Sequence, residues 1–272
     1  MDIAMIESKA KTMRKAAIES IGCAGSGHPG GALSAADIVA TLYFYKMNVD
    51  PARPDWPDRD RFVLSKGHAC PILYAALAEK GYFPKNELQC LRKIDSFLQG
   101  HPDMKHTPGI DMSTGSLGQG LSAAVGMAYA ARLDKKTYQV YCLIGCGESQ
   151  EGQIWEAALS AAHYKLDNLV AIIDNNHLQI DGSNDSVMSN GDIAGKFIAN
   201  GWNTLAIDGH DIAQIAAALD MASALKDKPT AIIAETVKGK GVSFMENKAD
   251  WHGKAPCREE VDAALCDLGG DR

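Results

Sequence analysis

The residues best able to do chemistry sit in short runs flanked by glycine or proline. They are Ser26-Gly27-His28-Pro29-Gly30, Ser65-Lys66-Gly67-His68, Gly100-His101-Pro102, Gly115-Ser116-Leu117-Gly118-Gln119-Gly120 and Trp251-His252-Gly253. A longer run, Gly145-Cys146-Gly147-Glu148-Ser149-Gln150-Glu151-Gly152, follows one apolar segment, and Asp174-Asn175-Asn176 follows the next. Imidazoles donate to anions and exchange protons near neutral pH. Glycines let the backbone approach a phosphate closely, and a following helix offers its free N–H groups to the same anion. A single loop histidine is ordinarily a solvated surface residue. Four of them beside Gly or Pro repeat a composition found where loops carry sites.

The elements that must position these runs alternate. Residues 3 to 22 carry apolar side chains at helical spacing, and helix is expected again at about 33–46, 70–80, from the opening run 114–120 to about 132, from about 154, at 191–199, 212–225 and 258–266. Apolar runs at 61–65, 138–144, 168–173, 202–207 and 230–236 read as strands. Residues 23–31 are too rich in Gly and Pro for any regular element. Strands alternating with helices predict an α/β fold, a mostly parallel sheet with helices on both faces, in one domain spanning 1–272. Such sheets bind ligands where strand ends, loops and a helix N-terminus converge.

Composition narrows the partners. A net charge of −7 argues against nucleic acid, and no apolar stretch approaches the roughly 20 residues of a membrane span. The start, Met1-Asp2-Ile3-Ala4-Met5-Ile6-Glu7, lacks the basic and apolar regions of a signal peptide. Seven cysteines at irregular spacing, with no C-x-x-C, predict reduced thiols and a cytoplasmic protein. Competing motifs fail on spacing: Gln150 stands where a dinucleotide fingerprint needs its third Gly, and Asn190 to Phe197 lacks the first Gly and the Ser/Thr of a phosphate loop.

The pattern G-x-G-x-x-x-E-G-x-x-W-E-A from Gly145, with D-N-N-x-x-x-I-D-G from Asp174, resembles the thiamine-diphosphate motif of transketolases. The four loop histidines fit that family as well, and the resemblance runs from about residue 10 to 255. It implies that His68 and His252 lie near the cofactor's pyrophosphate, while His28 and His101 face substrate oxygens, which makes His28, His101 and His252 the catalytic candidates. Gly115, Leu117 and Gly118 match the loop along the cofactor, and Gly147 and Glu148 belong to the motif itself. Glu151 matches a glutamate that joins a carboxylate network between cofactor sites. Lys238-Gly239-Lys240-Gly241 reads as an exposed basic turn or as a lid. His106, His163, His177 and His210 have no match and are expected at structural or surface positions.

The resemblance covers only the pyrophosphate-binding half of a transketolase. It implies the N-terminal subunit of a split enzyme that needs a C-terminal, pyrimidine-binding partner, two of each forming a heterotetramer. The implied reaction moves a two-carbon ketol unit from a ketose or ketose-phosphate donor to an aldose, through a thiamine-diphosphate adduct, with Mg²⁺ as the implied cation. One residue departs from the pattern: Cys146 stands where the family has a metal-binding Asp, beside the matching ligands Asn176 and the Leu178 carbonyl. Three states are open: weakened Mg²⁺ binding, a thiolate selecting a softer ion such as Zn²⁺, or a plain buried thiol. The oxygen character of the other ligands favours the first. Two other functions stay in view: a different thiamine-diphosphate C–C lyase or ligase, and a cofactor-poor regulatory subunit whose metal site has decayed.

Overall fold

The five apolar runs expected as strands all form strands, and they pair into one parallel sheet. The computed structural model describes residues 1–269, so the last three of the expected 1–272 domain lie outside the described residues. The strands are β1 (Arg61–Leu64), β2 (Val140–Gly145), β3 (Leu169–Asn175), β4 (Leu178–Gln179), β5 (Gly182–Ser183), β6 (Asn203–Asp208) and β7 (Thr230–Glu235). The sheet runs β1-β2-β3-β7-β6, while β4 and β5 make a separate antiparallel hairpin. Register places Gly145 opposite Asp174, and Asn175 opposite Glu235. In-register parallel strands release their loops at one edge, so Ser65, Cys146, Asn176 and Thr236 leave the sheet side by side.

Among the described residues ten helices accompany the sheet: α1 (Ile3–Ala24), α2 (Pro29–Ser34), α3 (Ala36–Thr41), α4 (Cys70–Lys80), α5 (Gln119–Leu133), α6 (Gly152–His163), α7 (Asn184–Val187), α8 (Ile193–Ala199), α9 (Ile212–Ala224) and α10 (Arg258–Asp267). Strand side chains alternate between two cores, as period two requires. Leu64, Leu143, Ile172 and Ile232 pack with α1, α3, α4 and α9. Val63, Cys142, Ala171 and Ile233 pack with α5, α6 and α8. Burial on both faces explains why the central strands read as continuous apolar runs. A third cluster, with Ile18, Leu33, Val242, Met245, Trp251 and Leu268, ties the C-terminal segment to α1 and α2.

Three local expectations differ from the structure. Residues 29–31, expected as loop, form the start of α2, which is fully buried, with Pro29 in its first turn where a missing N–H costs nothing. Packing outweighs glycine's poor propensity there: a Cβ on Gly30 would stand 2.9 Å from the Trp251 carbonyl oxygen. The helix expected over 33–46 is broken at Ala35 and ends in a π-turn, Leu42–Lys46. The helix after the Gly145 motif starts at Gly152, preceded by a 3-10 turn, Gly147–Gln150. That turn exists because the Glu148 carboxylate folds back onto the Gly145 N–H, 3.0 Å away.

Candidate active site

The centre of the site is an ion pair at the end of β3. Asp174 is wholly buried, and its carboxylate accepts from Lys66 Nζ, from Thr236 Oγ1 and, at 2.6 Å, from Ser34 Oγ. Lys66 also donates to the Gly31 carbonyl at 2.9 Å. Burial alone would raise the Asp174 pKa, but the Lys66 ammonium and the two hydroxyls hold it below the usual carboxylate range. A second buried ammonium, Lys238, is 2% exposed. Its Nζ donates to the Leu178 carbonyl at 3.3 Å and to His252 Nδ1 at 2.8 Å. Burial, reinforced by Lys66 and opposed by Asp174 and Cys146, brings the Lys238 pKa down to about 8. Lys238 is therefore not part of an exposed turn. Its Cγ and Cε pack against Gly30, which a side chain at that position would displace.

Three of the four loop histidines meet here. Ring centroids lie 5.3 Å apart for His28 and His68, 5.5 Å for His28 and His252, and 5.0 Å for His68 and His252. All three are held neutral. Burial and then Arg92 bring His28 to about 4, burial and then Lys238 bring His252 to about 3, and burial with Lys66 pushes His68 well below its ordinary value. Because His252 Nδ1 accepts from Lys238, its proton sits on Nε2. His28 Nδ1 is buried with no partner among the described residues. His101 is exposed, with its ring against Gly115, where a Cβ would stand 2.7 Å from His101 Cδ2. Partial burial and Arg92 lower its pKa as well.

The Gly-rich runs supply the walls. A cavity of about 240 Å³ is lined by Gly31, Lys66, His68, Leu117, Gly145, Cys146, Gly147, Glu148, Glu151, Asn176, Leu178, Gln179, Lys238 and His252, with Ile180, Asp181 and Val187 at its β4–β5 and α7 side. A Cβ on Gly31 would come within 3.3 Å of Lys66 Nζ and 3.4 Å of His68 Nε2, so the bare backbone keeps those donors clear. Gly118 caps α5 at φ 85°, where a side chain would strike Glu151 Cβ at 2.8 Å. Glu148 lines the cavity, but its carboxylate is taken by Ser65, by the Gly118 N–H at 2.9 Å and by the Gly145 N–H. It braces two loops against each other. Glu151 is exposed, and its side chain makes no hydrogen bond or ion pair among the described residues. Cys146 is buried, its Sγ 3.8 Å from Asn176 Oδ1, which itself accepts from the Leu178 N–H at 3.2 Å.

The other histidines stand apart. His106 pairs with Asp103 and His177 with Glu235, both exposed, and the His163 ring packs on Tyr164. His210 is mostly buried, bridging Asp37 and the Val237 N–H. A larger cleft, about 770 Å³, lies along α1 and α10 with Glu19, Cys23, Lys254 and Arg258 on its walls, and none of the gathered histidines lines it.

The family model described as transketolase, thiamine diphosphate binding domain, matches residues 6–272. The chain belongs to the transketolase family. It is 47% identical over 263 residues to the 6-deoxy-6-sulfo-D-fructose transketolase subunit SqwG of Clostridium sp. (strain MSTE9), covering 97% of this chain and 96% of that protein. Against the Mus musculus transketolase it is 49% identical over 253 residues, which are 92% of this chain but 40% of that protein. The transketolase of Campylobacter jejuni superposes with a TM-score of 0.94 and 36% identity, over 100% of this chain and 44% of that one. The chain thus spans less than half the length of the full-length transketolases it matches.

For a transketolase-family domain, the cavity fits the diphosphate of its cofactor. Two buried ammonium groups, neutral imidazoles and side-chain-free glycines face one small space, and His28, beside it but not lining it, has a buried Nδ1 without a partner among the described residues. The cation that the resemblance implies fits less well. The donors at its place are a thiol, an amide oxygen and a carbonyl already turned to Lys238, and among the described residues no three His, Cys, Asp or Glu side chains gather to hold a metal. Sequence reasoning singled out the imidazoles but missed Lys66, Asp174, Ser34, Thr236 and Lys238 as one network. The available signal was a lysine beside Gly at two strand ends, within Ser65-Lys66-Gly67 and Lys238-Gly239.

Proposed function

We propose that this chain is the N-terminal, diphosphate-binding subunit of a two-subunit transketolase. It works with a C-terminal subunit, two of each, to move a two-carbon ketol unit from a ketose or ketose-phosphate donor to an aldose. The observation that carries the reading is the match over 96% of a protein itself named a subunit, against 40% of a full-length transketolase. Thiamine diphosphate, when bound, supplies the carbanion chemistry. This chain's residues do the rest. Lys66, Lys238, His68 and the Nε2–H of His252 take the diphosphate, and Gly147 with Gly31 leaves room for it. Gly115, Leu117 and Gly118 form the wall beside the cofactor, and Glu148 fixes that wall to the β2 end. His28, with an unpartnered nitrogen, and His101, at the exposed rim, are placed to hold and pass protons at donor and acceptor oxygens. Glu151 faces outward to meet carboxylates of another subunit. Mg²⁺ is the cation of the family resemblance, with Asn176 and Leu178 as its remaining oxygen donors and Cys146 the poor one.

Net charge, the seven free thiols and the absence of any described helix long and apolar enough to cross a membrane support a cytoplasmic, small-molecule enzyme. The test is a ketol-transfer assay with the C-terminal subunit, thiamine diphosphate, Mg²⁺ and an aldose acceptor. A ketose phosphate serves as donor in one arm and 6-deoxy-6-sulfo-D-fructose, named for the Clostridium relative, in the other. Ketol transfer in the mixture and none with this chain alone is the expected result. Full turnover by the chain alone overturns the split reading, and a mixture that binds cofactor yet transfers no ketol unit from either donor overturns the reaction.

A further inference from the structure

We propose that this chain binds the diphosphate group without a divalent cation, with the buried ammonium of Lys238 supplying the positive charge in the cation's place. The inference rests on the reading that the cavity takes a diphosphate. Hard divalent cations need anionic or carbonyl oxygens free to turn toward them. The two buried carboxylates beside the cavity are already committed, while Glu151 and Asp181 stand exposed on its outer side. Asp174 accepts from Lys66, Ser34 and Thr236, and Glu148 from Ser65 and two backbone N–H groups. Cys146 offers sulfur where an oxygen is wanted. The Leu178 carbonyl, the one neutral oxygen of the expected set on the backbone, accepts from Lys238 Nζ at 3.3 Å. The place a cation would reach is therefore addressed by an ammonium.

Charge balance points the same way. Lys66 is neutralised by Asp174, whereas Lys238 has no carboxylate partner among the described residues and is 2% exposed. A buried ammonium without an anion is costly, so the cavity is a site that needs one. Lys238 also brings three N–H donors, of which the Leu178 carbonyl and His252 Nδ1 take two, leaving one for an incoming oxygen. Cys146 fits this arrangement as the residue that lets an ammonium remain. An Asp there would either pair with Lys238 and spend its charge, or draw in a metal.

Isothermal titration calorimetry of the full chain decides the matter, with inorganic diphosphate and thiamine diphosphate as probes, in EDTA and in Mg²⁺. Wild-type affinity for both probes should change by less than about threefold between the two buffers, and Lys238→Met should weaken both by about tenfold or more, the scale of a hydrogen bond to a charged group. Cys146→Asp, which alters no packing of a large side chain, should create a Mg²⁺ dependence of about tenfold or more. Binding that collapses in EDTA, that requires Mg²⁺ or Zn²⁺, or that Lys238→Met leaves intact overturns the proposal, as does a wild type that binds neither probe. The failures are separable. Inorganic diphosphate bound in EDTA without thiamine diphosphate sinks the functional reading alone, and thiamine diphosphate bound only with Mg²⁺ sinks the metal-free site alone.

Discussion

His28, His68 and His252 are kept neutral by burial and by the charges that face them: Lys66, Lys238, Arg92 and each other. This has a consequence in acid. In the unfolded chain these imidazoles titrate near the ordinary value of about 6.5, while in the fold His28 titrates at about 4 and His252 at about 3. Between those limits the unfolded state binds more protons, so stability is fully present above about pH 6.5 and is lost as pH falls toward the folded values. The low pKa of Asp174 acts only further down, below the usual carboxylate range. Melting temperature should therefore drop from about pH 7 to about pH 5, and His28→Asn with His252→Asn should flatten that drop. A double variant that falls as steeply as wild type would show the cluster is not its source. The loop histidines could be read from the sequence because Gly and Pro flank them. The lysines could not, since Lys238-Gly239-Lys240-Gly241 looks like a solvated turn until Gly30 and Trp251 close over it.

At the scale of elements, one buried relay holds the turn after β7 in place. Arg14 on α1 donates to Asp37 on α3 at 2.6 and 3.0 Å, His210 Nδ1 stands 2.7 Å from Asp37, and the Val237 N–H donates to His210 Nε2 at 2.8 Å. Since Nε2 accepts, the ring is the neutral Nδ1–H tautomer and points Asp37 and Val237 at each other. Val237 precedes Lys238, so the relay sets the height of an ammonium it never touches. His210→Ala leaves the Val237 N–H unpaired and takes one partner from the buried Asp37 carboxylate, which keeps Arg14, and should cost about 1–3 kcal/mol in urea denaturation. It should also weaken diphosphate binding, while His106→Ala does neither. A His210→Ala protein with an unchanged urea midpoint would remove the relay. From sequence His210 could only be placed as structural or surface, because Asp37 lies 173 residues away. The strands and most helices were legible, since apolar runs bounded by Gly and polar residues fix them locally. α2 was not, because only its burial against Trp251 and Lys238 makes Pro29-Gly30-Gly31 helical.

For the whole molecule, the question is what completes a half-site. On the proposed reading the cavity of about 240 Å³ takes the diphosphate end of a cofactor, and its outer rim carries exposed apolar side chains: Ile180 at 67% and Val187 at 43%. A thiazole and pyrimidine extending past that rim would meet solvent unless a second chain covers them. Cofactor and partner then share one surface, and their affinities are linked: whatever factor the partner adds to cofactor binding, the cofactor adds to assembly. The chain alone should bind thiamine diphosphate no more than about threefold better than inorganic diphosphate, because it contacts little beyond the shared anion. Mixed with the C-terminal subunit, thiamine diphosphate should bind about tenfold tighter or more, equivalent to at least ~1.4 kcal/mol of coupling. Inorganic diphosphate should gain far less, since it carries no rings for the partner to cover. Sedimentation velocity of the two subunits with thiamine diphosphate, with inorganic diphosphate and with neither reads the coupling from the other side. Assembly that is equally tight in all three would mean the cofactor does not lie between the chains.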